Sequence, residues 1–218
     1  MKKSVILSGI FAIAASFALT SCDELDDLVG VTLTPSVPIE QILEFADPNA
    51  TGTIVINKAN YHVVDFTDGS MPSEITDNID KMEQFRILEI EYAYLNRVIA
   101  AASTFTLSGE VILFEVPGDL SLVPANQSSS TPTSFPSDDL TEIVRLPISS
   151  SAWADAAKWT NTDNEGSFPL PFDQSTQDLI ADYLLANKKI GIAIFSDYEG
   201  SASLDVTGKV TLNLEIKI

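Results

Sequence analysis

The chain has 218 residues, with 31 acidic against 12 basic side chains and a formal net charge of −19. Unaided nucleic-acid binding is excluded, because it runs on phosphate neutralisation by Lys and Arg. The single histidine and single cysteine offer no ligand supply for a zinc site, and no cofactor is expected.

Met1-Lys2-Lys3 opens the chain with positive charge, and Val5 to Leu19 follows as an apolar run broken by Ser4, Ser8, Gly9 and Ser16 at its edge and interior. The run falls short of the roughly 20 apolar residues that span a bilayer. It has the form of an export signal and is set aside from fold reasoning. Residues 1–21 are therefore read as a signal peptide.

Leu19-Thr20-Ser21-Cys22 resembles the lipobox of bacterial lipoproteins: Leu three places before the Cys, with small residues between. The resemblance implies a diacylglycerol thioether on Cys22, cleavage before it and acylation of the new amino group. Two or three acyl chains on one residue satisfy the two-signal rule for stable membrane anchoring. Asp23-Glu24-Leu25-Asp26-Asp27 resembles, in a form without lysine, the acidic segment of surface-exposed Bacteroidetes-type lipoproteins. It reads equally well as a solvated spacer. The resemblance places the protein in the cell envelope, lipid-anchored in the outer membrane. Without Lys2 and Lys3, 10 basic residues face 31 acidic ones, a net of −21, so adhesion must come from acyl chains and not from anionic lipid. With Cys22 the only cysteine, no internal disulfide is available and stability must come from burial.

Residues 22–38 read as an acidic tether, with an edge strand at Val31-Thr32-Leu33 held off the sheet centre by Pro35 and Pro38. Residues 39–218 are expected to form a single domain. Ile39 to Phe45 is ambiguous between helix and strand, and Asp47-Pro48-Asn49-Ala50-Thr51-Gly52 is turn chemistry. Thr53 to Ile56 and Tyr61 to Phe66 read as two strands, followed by an irregular or helical connection over 73–82. Glu83 to Asn96 is a long strand, with Arg86, Leu88, Ile90, Tyr92 and Tyr94 expected on its core face.

Thr104 to Val116 is expected to pair next, burying Phe105, Leu107, Val111 and Leu113. Pro117 to Asp139 is rich in Ser, Thr and Pro without periodicity, and predicts a disordered or loosely packed loop. Glu142 to Pro147 is a short strand. A helix runs over about 175–187, with Ser175 and Asp178 as a capping box and Leu179, Ile180, Tyr183 and Leu184 as its stripe. Ile190 to Phe195 reads as a central strand. From Leu204 to Ile216 apolar and polar residues alternate, which means one buried and one wet face, with a bulge expected at Gly208. Together these elements predict a mainly β protein, an antiparallel β-sandwich with one short helix.

His62, the sole histidine, lies between apolar strand residues and is expected to be structural, since a triad would have to use it. No carboxylate pair stands in a distinctive local context, so no catalytic residue is assigned and the protein is not expected to be an enzyme. Asn161 to Gly166 faintly resembles the start of an EF-hand loop, but Phe172 occupies the position of the bidentate Glu. No metal site is therefore expected. Trp153 and Trp159 share one stretch with Asp155, Asn161, Asp163 and Asn164. Aromatic faces beside carboxylates and amides suit sugar binding, so Trp153, Trp159, Asp155 and Asp163 are candidate ligand contacts; the alternative is that each Trp caps the core. The expected function is a non-catalytic binding sandwich with a glycan or envelope-protein partner. A structural or adhesive fibre subunit is the first alternative, and a secreted-type hydrolase the second.

Overall fold

The computed structural model describes residues 32–46, 52–69, 71, 73–99, 104–136, 138–148, 159–160 and 168–218. These described residues form two sheets packed face to face as a mainly antiparallel β-sandwich, joined by one long helix.

The first sheet is built on β11 (Leu204–Lys217). On one side β11 pairs with β1 (Thr32–Leu33) and β2 (Ser36–Phe45), and on the other with β4 (Gln84–Ile99). Thr32 lies opposite Lys217 and Phe45 opposite Leu204. The sandwich thus takes in residues from Thr32 on, within the stretch read as tether. β8 (Trp159–Thr160) runs parallel to β4, and β9 (Phe168–Pro169) antiparallel to it. The second sheet has the order β6 (Gln127–Ser129), β3 (Ile54–Asp65), β10 (Lys189–Gly200), β5 (Phe105–Phe114), β7 (Glu142–Ile148).

Alternation explains which faces meet. From β11, Val206, Val210, Leu212, Leu214 and Ile216 are buried, while Thr207, Lys209, Thr211 and Asn213 are half-buried on the outer face. The ambiguous Ile39–Phe45 segment is strand, with Val37, Ile39, Leu43 and Phe45 inward. Phe45 stacks on Tyr198 of the second sheet at 5.1 Å between centroids. The central β10 is apolar on both sides because both are covered. Ile190, Ile192 and Ile194 face the sandwich core, and Ala193 and Phe195 face a second cluster with Tyr61, Ile112 and Phe114.

Several expectations are corrected. Thr53–Ile56 and Tyr61–Phe66 are not two strands but one, β3. Asn57 to Asn60 stay in the ladder opposite Asp197 to Ile194, and pairing along the whole of β10 overrides weak local propensity. β5 follows β4 in sequence but belongs to the other sheet, beside β10 and β7. The core face of β4 changes phase. Phe85 and Ile87 are buried, Leu88 is 44% exposed, and Ile90 and Tyr92 are buried again. A register irregularity against β11, between Asn213 and Leu214, passes over Leu88 and reverses the alternation.

The other irregularity of β11 lies between Asp205 and Thr207, not at Gly208. Gly208 instead makes room: a Cβ there would meet the Tyr92 hydroxyl at 2.9 Å and Leu43 Cδ1 at 3.1 Å.

The 117–139 segment, expected to be loose, is tied down. Its residues form a 3₁₀ turn at Leu120–Leu122 and the strand β6 against β3, and Phe135 with Leu140 packs on Phe114 and its neighbours. Phe135 and the partly buried Val123, with Leu140 just beyond the segment, suffice without periodicity when a sheet face is waiting for them.

A one-turn helix, α1 (Ser73–Thr76), and a 3₁₀ turn occupy 73–82 as anticipated. The long helix, α2 (Gln174–Asn187), is capped by Asp173, whose carboxylate accepts from Thr176 N at 2.8 Å; Ser175 is inside the helix and donates to the same carboxylate. The capping-box expectation is off because Asp173 is an equally good cap two residues earlier. Ile180 and Leu184 enter the core, Tyr183 is half-buried, and Leu179 is 54% exposed. Lys188 closes the helix with a left-handed φ of 56°.

Candidate functional site

At its start β4 has no strand neighbour on the side away from β11 among the described residues, and α2 covers that edge. The Gln177 amide donates to the Ile87 carbonyl, and Leu170 N donates to Ile90 O at 2.7 Å. These bonds satisfy backbone acceptors that an uncovered edge would leave open. The Gln177 bond also ties the helix to the strand.

Beside this contact lies a groove of about 710 Å³. Its helix wall carries Gln174, Asp178, Ala181, Asp182 and Leu185, residues that recur on one face of α2. Its strand wall carries Gln84, Phe85 and Arg86 of β4 and Glu83 just before it, with Lys217 of β11. Asp178 accepts from Gln174 of its own helix at 2.7 Å, and Arg86 approaches Glu215 of its own sheet at 4.0 Å. With side chains 43% and 34% exposed, the Arg86–Glu215 pair holds Arg86 only weakly. The size suits a small ligand, for which sites run roughly 300–1,000 Å³.

The one histidine lies elsewhere, inside the sandwich. Lys58, Asn60 and His62 occupy the inward face of β3: Lys58 Nζ sits 5.9 Å over the Phe45 ring, and His62 Nε2 lies 3.4 Å from Gln41 Oε1 of β2. Buried Gln41 Nε2, Asn60 Nδ2 and Ser196 Oγ have no hydrogen-bond partner among the described residues. Burial holds the His62 imidazole below the ordinary histidine value. A base needs reach to a substrate proton, and His62 faces another strand's amide instead.

This arrangement fixes the sign of a pH effect. The folded-state value of His62 lies below the unfolded one, about 6.5. The unfolded chain therefore binds the proton first, and stability is full above that value and lost as pH falls through it. The melting temperature should decline between pH 7 and pH 5, and His62→Gln should remove part of that decline while costing little at pH 7. Parallel pH curves for the two proteins would show that His62 is not buried as described.

On the outer face of the second sheet, Asp197 and Glu110 form a carboxylate pair. Desolvation, and then the Glu110 charge, push Asp197 upward. Glu110 is itself tied to Arg145 at 2.5 Å, and Arg145 also holds Glu142 at 2.7 Å. The pair was not singled out in the sequence, since only β5–β10 pairing brings positions 110 and 197 together.

Of the residues assigned to sugar contact, Trp153, Asp155 and Asp163 lie outside the described residues, as does Cys22. The backbone of Trp159 is placed, in β8 beside Tyr94.

No protein-family model matches the chain, and no curated protein matches it. Among solved structures the chain is similar to one described as a decameric BFDV capsid protein. The identity is 8%, the match covers 87% of this chain and 99% of that one, and the TM-score is 0.39. A likeness this slight carries no argument about function. The fold defines the class: among the described residues, a mainly antiparallel β-sandwich with one long helix along a sheet edge.

Proposed function

We propose that the protein is an outer-membrane lipoprotein, held by acyl chains on Cys22, whose sandwich is a non-catalytic binding module for a glycan or protein at the membrane surface. The observation that carries the anchor is Leu19-Thr20-Ser21-Cys22, with the chain's only cysteine directly after an export-type apolar run. β1 begins ten residues after Cys22, which sets the sheet no more than about 35 Å from the lipidated residue along the chain. The helix-edge groove supports the binding reading, since a pre-formed concavity is the usual form of a ligand site. The placement of His62 between the sheets supports the non-catalytic reading.

Cys22→Ala should release the protein from the membrane fraction or leave it as a larger precursor, without fatty-acid label. Equal labelling of parent and variant would overturn the anchor. A fibre-subunit reading has one observation in its favour. β2 is the edge strand of its sheet among the described residues, and it carries Ile42 at 78% exposure. Such an edge can accept a neighbour's strand. A ladder of sizes for the detergent-solubilised chain would favour that reading; a monomer favours the binding module.

A further inference from the structure

The groove between α2 and the start of β4 has walls of opposite charge. Asp178 and Asp182 stand one turn apart on the helix wall, and Arg86 and Lys217 stand on the strand wall with Glu83 beside them. Among the described residues no ion pair joins the two walls; Arg86 and Asp178 each contact a group of their own wall. The walls cannot collapse onto each other, because α2 is held at the strand edge by Gln177 and by the buried Ile180 and Leu184.

We propose that this groove binds a zwitterionic ligand, a short peptide with both termini free. The inference rests on the reading of the sandwich as a binding module and does not need the lipid anchor. The ligand's carboxylate goes to Arg86, whose planar fork donates to two carboxylate oxygens at once, with Lys217 adding charge. Its ammonium goes between Asp178 and Asp182, like charges at i,i+4 that repel until a cation separates them. Ala181 and Leu185 leave an apolar strip for a small side chain. A polyanion would meet Asp178, Asp182 and Glu83, a polycation would meet Arg86 and Lys217, and a neutral sugar would hydrogen-bond to either wall while neutralising neither. A dipolar ligand matches both walls.

The test is calorimetric titration of the detergent-solubilised full chain with alanyl-alanine, and with its N-acetylated and C-amidated forms. The free dipeptide should bind, and blocking either end should weaken it by about tenfold or more, the effect of losing one charge-assisted contact. Arg86→Gln should abolish the preference over the amidated form, and Asp182→Asn the preference over the acetylated form. Both side chains are at the surface, so thermal melts matching the parent will certify folding; the three peptides on the parent protein decide the matter even without the variants. No binding at concentrations on the order of 10 mM, or equal binding of all three peptides, overturns the proposal. Capture of a glycan or folded protein with no dipeptide binding would also overturn it, while leaving the binding-module reading intact. Fractionation of Cys22→Ala tests the anchor separately.

Discussion

Leu212→Ala should cost roughly 2–5 kcal/mol of unfolding free energy, the range for deleting a buried leucine side chain. Leu212 is 0% exposed and lies between Val37 of β2 and Ile90 of β4, both buried. It sits in the middle of the first sheet's inner face, and the cavity left behind has a strand on each side that cannot move without breaking its ladder. That argues for the upper part of the range. Its neighbour Thr211 is the control. It occupies the outer face, half-buried, and Thr211→Ala should cost under about 0.5 kcal/mol. Urea melts of the two variants give the comparison; equal costs would mean that β11 is paired in another register.

The β11 alternation was legible because its period of 2 runs unbroken from Leu204 to Ile216 and each residue type agrees with its face. β4 shows the limit of the same logic. Its residues are just as apolar, yet one irregularity at Leu88 exchanges the faces, and bulges leave no compositional mark when both flanking phases carry apolar residues. β3 failed for the opposite reason. Asn57, Lys58 and Asn60 look like a break, but cross-strand partners in β10 keep them extended. The ordering of the 117–139 segment was hidden because Phe135 and Leu140 are meaningful only against Tyr61, Phe114 and Phe195, which come from three different strands.

The groove was half legible. Gln174, Asp178, Ala181, Asp182 and Leu185 share a helical face that could be drawn from the sequence once the helix was assigned. Nothing local ties that face to Arg86 or Lys217, because the tie is Gln177 reaching a carbonyl on a strand 90 positions earlier. The same holds for Gln41 and His62, whose contact joins strands from different sheets.

Gly109→Ala should destabilise the protein by about 1–3 kcal/mol or more, the range for overpacking a filled site, and the reason is what the new methyl would strike. A Cβ at Gly109 would overlap the carbonyl of Phe195, with Ser196 Cα 3.2 Å away. Those are backbone atoms of β10, and no rotamer change removes them. Relief requires β5 to move away from β10, where ten residue pairs run from Phe105↔Gly200 to Phe114↔Gly191. Two further glycines set the scale. At Gly191 the added methyl meets the ring of Phe114, a side chain at the other sheet face's aromatic cluster, which can tilt at a cost. Gly191→Ala should therefore fall below Gly109→Ala. At Gly118 the methyl meets nothing within 4 Å, and Gly118→Ala should be neutral within about 0.5 kcal/mol. Chemical denaturation of the three variants tests the order. If Gly109→Ala melts with the parent, β5 and β10 do not approach at that residue, and the central pairing of the second sheet is wrong.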